Sequence, residues 1–268
     1  MRYTRIMWYR NRLVSAISLG VLLVLFAAAW LQSCWKAGDE SARPKTEPAG
    51  ETPRFQTIPD DEAFGFNVQL GEAFDAAKLV QQLAQSPFPV QVAAEDASAK
   101  MVPGTAGDGT IYFWVTPDPR APERVGGLTL GADLKTAYTT GRLTKDQYSA
   151  LVEGARELAR DPATGEMDLR GYIAAEAMLA GRANPAIATA AGIHVGSSRA
   201  EVEAAYGPPD ETVFEYGDTV LIYRGKQAAL ALRLAGDTVR IAQLFPADCD
   251  YLEFREAGSG LGSEQPSQ

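Results

Sequence analysis

The chain's only histidine, His194, is followed three and four residues on by Ser197 and Ser198, and seven on by Glu201. A histidine can act as base to a serine nucleophile when the two side chains meet within hydrogen-bond reach and a third group orients the imidazole. The local sequence Val-Gly-Ser-Ser-Arg over 195–199 lacks the Gly-x-Ser-x-Gly of a nucleophile elbow. Ser198-Arg-Ala-Glu201 has instead the form of a capping box. In it the serine hydroxyl accepts a free backbone N–H and the glutamate reaches back to the cap. His194 alternates with Ile193 and Val195 in a short extended segment, so its side chain is expected to point away from theirs, toward solvent. His194, Arg199 and Glu203 are therefore read as a candidate interaction surface, and no residue is assigned a catalytic role.

Other reactive residue types are sparse. With one histidine and two distant cysteines, Cys34 and Cys249, the chain has neither a zinc-ligand cluster nor a disulfide framework. Cys249 sits between Asp248 and Asp250, whose charges raise a thiol pKa, so it reads as a semi-buried small residue. The loop DPATGEMD at 161–168 has the composition of a calcium loop. Placing Gly165 at that loop's invariant glycine, however, puts Arg160 at the first ligand position and Gly171 at the bidentate glutamate. The loop reads instead as a link between two helices, with Asp168 capping the second. Walker and dinucleotide glycine patterns are missing, and no cofactor is implied. Asp60-Asp61-Glu62 and the Asp248/Asp250 pair read as solvated surface charge.

The elements that would position these residues follow from periodicity. Three segments have the form apolar–x–apolar–Gly: GFNVQLG at 65–71, GLTLG at 127–131 and GIHVG at 192–196. Each is followed by a helix-start residue, Asp75, Asp133 or Ser198, and they read as a shared connector rather than a true repeat. Helical spacing runs over 75–85, and again after the capping box Thr144-Lys-Asp-Gln147. GDGTIYFWV at 107–115 is a turn entering a strand of β-branched and aromatic residues. After Pro209 three strands, at 219–224, 227–235 and 238–245, are joined by Gly225-Lys226 and Gly236-Asp237, giving an antiparallel meander. Its apolar face, Leu230, Leu232 and Leu234, calls for a cover. The helix begun at Ser198 supplies Val202, Ala205 and Tyr206 at helical spacing before Gly207-Pro-Pro209 ends it.

The N-terminus places the molecule. Residues 13–35, LVSAISLGVLLVLFAAAWLQSCW, carry no charge and are long enough to cross a bilayer, which takes roughly 20 apolar residues. Arg2, Arg5, Arg10 and Arg12 precede them without an acid, which keeps the N-terminus cytoplasmic and sends the body outside. Taking those four positive charges from a net charge of −9 leaves −13 for the rest, a balance that repels phosphate backbones and excludes nucleic acid as a partner. Leu31-Gln32-Ser33-Cys34 resembles a lipobox, so two readings stand: an uncleaved membrane anchor, or a lipoprotein signal with Cys34 as the lipid attachment residue. Residues 36–58 read as a flexible spacer and the C-terminal end as a tail of the same kind.

The stretch Val-Gly-Ser-Ser-Arg-x-Glu-Val-x-x-x-Tyr-Gly-Pro-Pro-Asp over 195–210, a strand ending Ile222-Tyr223, a long apolar strand, a Gly-Asp turn and Val239-Arg-Ile241 together resemble the SmpA/OmlA (BamE-like) family. The resemblance covers about residues 184–245. It implies an extracytoplasmic αα–βββ binding module without catalytic residues, with outer-membrane assembly or envelope maintenance as its setting. The expectation is thus an α+β protein. It comprises a membrane-anchor helix or lipoprotein signal (1–35), a disordered linker (36–58), a small α/β unit (59–125), a helical insert (126–183), a C-terminal BamE-like domain with a three-stranded meander (184–256) and a disordered tail (257–268). The expected function is that of a membrane-tethered, non-catalytic binding or scaffold protein of the bacterial cell envelope with an envelope protein partner. The alternatives are an envelope hydrolase using His194 and a nearby serine, and an inhibitor or sensor domain.

Overall fold

A computed structural model describes residues 58–59, 62–93 and 101–258. Asp75 opens the first helix, accepting the backbone N–H groups of Ala77 and Lys78, and α1 runs Ala76–Leu83. Four strands follow: β1 (Val90–Val92), β2 (Val102–Ala106), β3 (Ile111–Asp118) and β4 (Ala121–Ala132). Three helices come next: α2 (Leu134–Thr139), α3 (Lys145–Leu158) and α4 (Leu169–Ala183). A fifth helix, α5 (Arg199–Tyr206), precedes β5 (Glu211–Glu215), β6 (Asp218–Arg224), β7 (Ala228–Ala235) and β8 (Thr238–Pro246), and α6 (Tyr251–Gly258) closes the described chain.

All eight strands belong to one antiparallel sheet in the order β1-β2-β3-β4-β8-β7-β6-β5. This corrects the expected fold class. There is no free-standing three-stranded αα–βββ module, because the meander has a fourth strand, β5, and its last strand is not an edge. β8 pairs with β4, Leu128 facing Leu244 and Gly131 facing Ile241. The physical reason is that GLTLG at 127–131 is a central strand, where the unpaired N–H and C=O groups of β8 find their partners. Its glycines make room for rings: a β-carbon at Gly127 would collide with Phe254, and one at Gly131 with the Tyr112 phenol.

The sheet is covered on both sides across its second half. On one face Leu230, Leu232 and Leu244 join Phe113, Leu128 and Leu130 in a core that also takes Leu79 and Leu83 from α1, Ala177 and Ala180 from α4, and Val202 and Tyr206 from α5. On the other, Val220, Ile222, Ala229, Ala231 and Phe245 pack under Cys249, Tyr251 and Phe254 of the C-terminal segment. Strand β7, read from sequence as having one apolar face, is buried on both. The helix start at Asp250, which accepts the N–H groups of Leu252 and Glu253, brings α6 over the second face.

Chain order repeats itself. An extended apolar segment closed by glycine, a short helix and a four-stranded meander occur first over 65–132 and again over 192–246. Asp75, Asp133 and Ser198 are all N-caps as expected, but only the first and third glycine-closed segments introduce a meander. Among the described residues no helix is long and apolar enough to cross a membrane. The uncharged run at 13–35, Cys34, the spacer up to residue 57, Asp60-Asp61 and the tail from 259 lie outside those residues.

Candidate functional site

Strand β3 alternates as a strand with one core face must. Ile111, Phe113 and Val115 are buried, whereas Tyr112 and Trp114 rise from the opposite face, ring centroids 5.0 Å apart and planes 9° from parallel. Their cross-strand neighbours are small or slender: Thr105 and Pro103 on β2, Gly131 and Thr129 on β4. Nothing bulky from the neighbouring strands crowds the pair. Helices α2 and α4 wall off one end, tied together by the Leu134 N–H, which donates to Glu176 Oε1 at 3.0 Å. Ile173, Glu176 and Ala177 of α4 and Arg240 and Ile241 of β8 complete a cleft of about 600 Å³. That volume lies within the range of ligand sites, roughly 300–1,000 Å³.

The polar groups of the cleft fall into two sets. Asp133 is engaged locally, its carboxylate accepting the Thr136 N–H at 2.8 Å and the Thr136 hydroxyl at 2.6 Å as the cap of α2. Glu176 uses Oε1 for Leu134, and among the described residues nothing donates to its Oε2. Burial first, then the nearby Asp133 charge, holds the Glu176 carboxyl above the usual carboxylate range, against the Leu134 N–H and Arg240. The Tyr112 phenol has no hydrogen-bond partner among the described residues and is pushed up to about 12 by burial, with Arg240 opposing. Arg142, exposed, makes no ion pair among them.

Arg240 links this cleft to a second cluster, which sequence reading missed. Its Nε lies 3.2 Å from Asp218 Oδ2, and Asp218 also meets Arg233 Nε at 3.3 Å. Arg233 reaches Glu215 at 2.7 Å; Glu215 pairs as well with Arg255 and accepts the Tyr251 hydroxyl at 3.3 Å. Three arginines and two carboxylates are thus gathered on the sheet face beside α6. The signal was an arginine inside AALALRLA, a strand that is otherwise apolar.

A second hollow, of about 650 Å³, lies among residues 62–72 and 188–190. Its acids are occupied by the fold: Glu62 accepts the N–H groups of Ala63, Phe64 and Ala190, and Glu72 takes Gln69 N, Gln82 Nε2 and Lys78. The aromatic cleft is the better candidate, because it sets an unengaged carboxylate oxygen, Glu176 Oε2, beside an aromatic pair, whereas the unbonded polar atom of the second hollow, Gln82 Oε1, is itself buried.

The residues singled out from sequence are placed differently. Ser198 and Glu201 form the capping box, and the Ser198 N–H donates to Glu201 Oε2 at 2.6 Å. Ser197 is buried, its hydroxyl accepting the His194 backbone N–H at 3.1 Å. The imidazole does not turn outward; it is half-buried, with Nδ1 2.7 Å from Val195 O, and lies against Gly181 of α4. Arg199 and Glu203 do come together, as a 2.7 Å pair one turn apart on α5. His194 lies by Glu201 and helps the cap lower that carboxyl's pKa. Cys249 is buried and burial, ahead of its acid neighbours, pushes its thiol up. Asp248 and Asp250 are exposed, as expected, and also have structural work: Arg120 grips Asp248 with two 3.0 Å bonds, and Asp250 starts α6; Glu62, read with them as solvated charge, is instead buried. Asp168 caps α4.

No family model and no curated relative matches this chain. It is similar to the crystal structure of a DUF4309-family protein from Bacillus subtilis at 6% identity, over 71% of this chain and 88% of that one, with a TM-score of 0.35. A likeness of that size carries no argument about fold or function.

Proposed function

We propose that the protein is a membrane-tethered, extracytoplasmic and non-catalytic binding protein of the bacterial cell envelope, which takes its ligand in the cleft over Tyr112 and Trp114. One observation carries this reading. A concave, mostly apolar site with an aromatic pair also keeps polar atoms, Glu176 Oε2 and Tyr112 Oη, that have no hydrogen-bond partner among the described residues. Both atoms line the hollow and are free to bond a ligand placed in it, the few convergent polar groups that an apolar site uses to orient its ligand. The tether and the outward placement of the body rest on residues 2–35 of the sequence. The hydrolase reading loses support, since Ser198 caps a helix, Ser197 receives a backbone N–H and the imidazole faces a carbonyl. Membership of the SmpA/OmlA family is not carried further, because the three-stranded module it implied is replaced by the eight-stranded sheet.

The test is native mass spectrometry of the detergent-solubilised full chain purified from its own envelope. The expected result is a bound mass that is lost in Trp114→Ala at an unchanged melting temperature. Recovery of the same bound mass with Trp114→Ala would contradict the assignment. Turnover of peptidoglycan or ester substrates that disappears in a folded His194→Ala would favour the hydrolase instead.

A further inference from the structure

The cleft's chemistry narrows the ligand class, on the reading of that cleft as the binding site. Its floor carries the Tyr112–Trp114 pair, whose rings are stacked on one another, so the pair offers a ligand the outer face and edges of an aromatic stack. Around the floor stand groups of both hydrogen-bonding senses. Gln91 and Thr105 can donate and accept, Arg142 and Arg240 only donate, and Glu176 Oε2, when ionised, only accepts. The formal charges balance, two arginines against Glu176 and Asp133, so the site selects neither an anion nor a cation. A ligand suited to this lining has a flat apolar face of C–H groups and a rim of neutral hydroxyls that donate and accept together. That is a pyranose ring.

Size and openness point the same way. A hollow of about 600 Å³ takes more than one such ring, about two or three. Gln91 lies on β1, the edge strand of the sheet, so the cleft extends to the sheet margin and a chain of sugars can continue past it. An extended peptide is less well served. Strand-like recognition draws on regularly spaced backbone donors and acceptors, which the cleft meets only at the edge strand β1, three residues long, and not on its aromatic floor. We propose that the cleft over Tyr112 and Trp114 binds a neutral oligosaccharide, with an outer face of the Tyr112–Trp114 stack packing on a sugar ring and Glu176, Arg142 and Arg240 bonding the hydroxyl rim.

Trp114 is the only tryptophan beyond residue 35, the others being Trp8, Trp30 and Trp35. In the full chain carrying Trp8→Phe, Trp30→Phe and Trp35→Phe, tryptophan emission therefore reports the cleft alone. The probes are the trimer of N-acetylglucosamine and maltotriose, with trialanine as the peptide control. The expected result is a saturable change in emission with at least one trisaccharide and none with trialanine. Glu176→Gln keeps an acceptor for the Leu134 N–H, and Arg142→Gln changes an exposed side chain; each is expected to weaken binding by about tenfold, the size of one lost charge-assisted bond. Two silent trisaccharides overturn the proposal. If trialanine then changes the emission, the cleft remains a binding site for another class of ligand; if it too is silent, the bound mass sought from the native envelope decides separately whether the cleft binds anything. A saccharide response that survives both substitutions also overturns it, because the sugar then lies elsewhere.

Discussion

Glu176 carries the most specific chemistry in the cleft, and its titration has a definite sign. A carboxyl whose pKa is raised on folding stabilises the native state fully below its unfolded pKa, and that contribution is lost as pH rises through the raised value. Glu176→Gln removes this dependence. Urea unfolding at several pH values should show the variant gaining stability relative to the parent as pH rises from the acid range toward neutrality; parallel curves would deny that burial sets this pKa. Ser198 has the opposite profile, through Glu201. That carboxyl is lowered by its bonds to Ser198, so its contribution is present at neutral pH and lost as pH falls through the lowered value. Ser198→Ala should cost about 1 kcal/mol at neutral pH, measured by chemical denaturation, and leave ligand binding unchanged. The caps at Asp75, Asp133 and Ser198 were legible in sequence because a cap is a contact between residues two or three apart. The cleft was not legible. Tyr112 and Trp114 read simply as strand formers, and Glu176, 62 residues or more downstream, reads as one more helix glutamate until α4 is folded against α2.

At the scale of elements, β4, β7 and α6 decide how the sheet is finished. Gly131 is small because the Tyr112 ring lies across it, so Gly131→Ala should displace the phenol, cost about 1–3 kcal/mol in thermal unfolding and weaken binding in the cleft. Arg233 projects from a doubly buried strand into carboxylates that are themselves buried. Arg233→Ala should cost about 3 kcal/mol in urea unfolding, since removing one partner leaves the others desolvated and under-compensated. Removing α6 by ending the chain after residue 249 should expose Phe245, Ala229 and Ala231 and produce an aggregation-prone protein, visible by light scattering. The sequence does contain a mark of α6: Asp250 as cap, with Tyr251 and Phe254 three residues apart. It passes unnoticed because the element is short and its apolar face makes sense only once β7 is known to be covered twice. The pairing of β4 with β8 is harder still. Its partners are more than a hundred residues apart, and no periodicity in either strand specifies which edge the other will seek.

On the scale of the whole molecule, the two meanders differ in what covers them. Both have a core face filled by α1, α4 and α5, but the opposite face of the second half is closed by α6 and the arginine–carboxylate cluster. The corresponding face of the first half carries the aromatic pair and, among the described residues, stays open as the cleft. A face covered in one half and hollow in the other is the arrangement on which the binding reading depends. It is tested most directly by titrating the chain whose sole tryptophan is Trp114 with a low-molecular-mass extract of its own cell envelope, following tryptophan emission. The account predicts a saturable change that Arg142→Gln and Glu176→Gln both weaken while each variant remains folded. Emission from a folded chain that no fraction of the extract alters would contradict it.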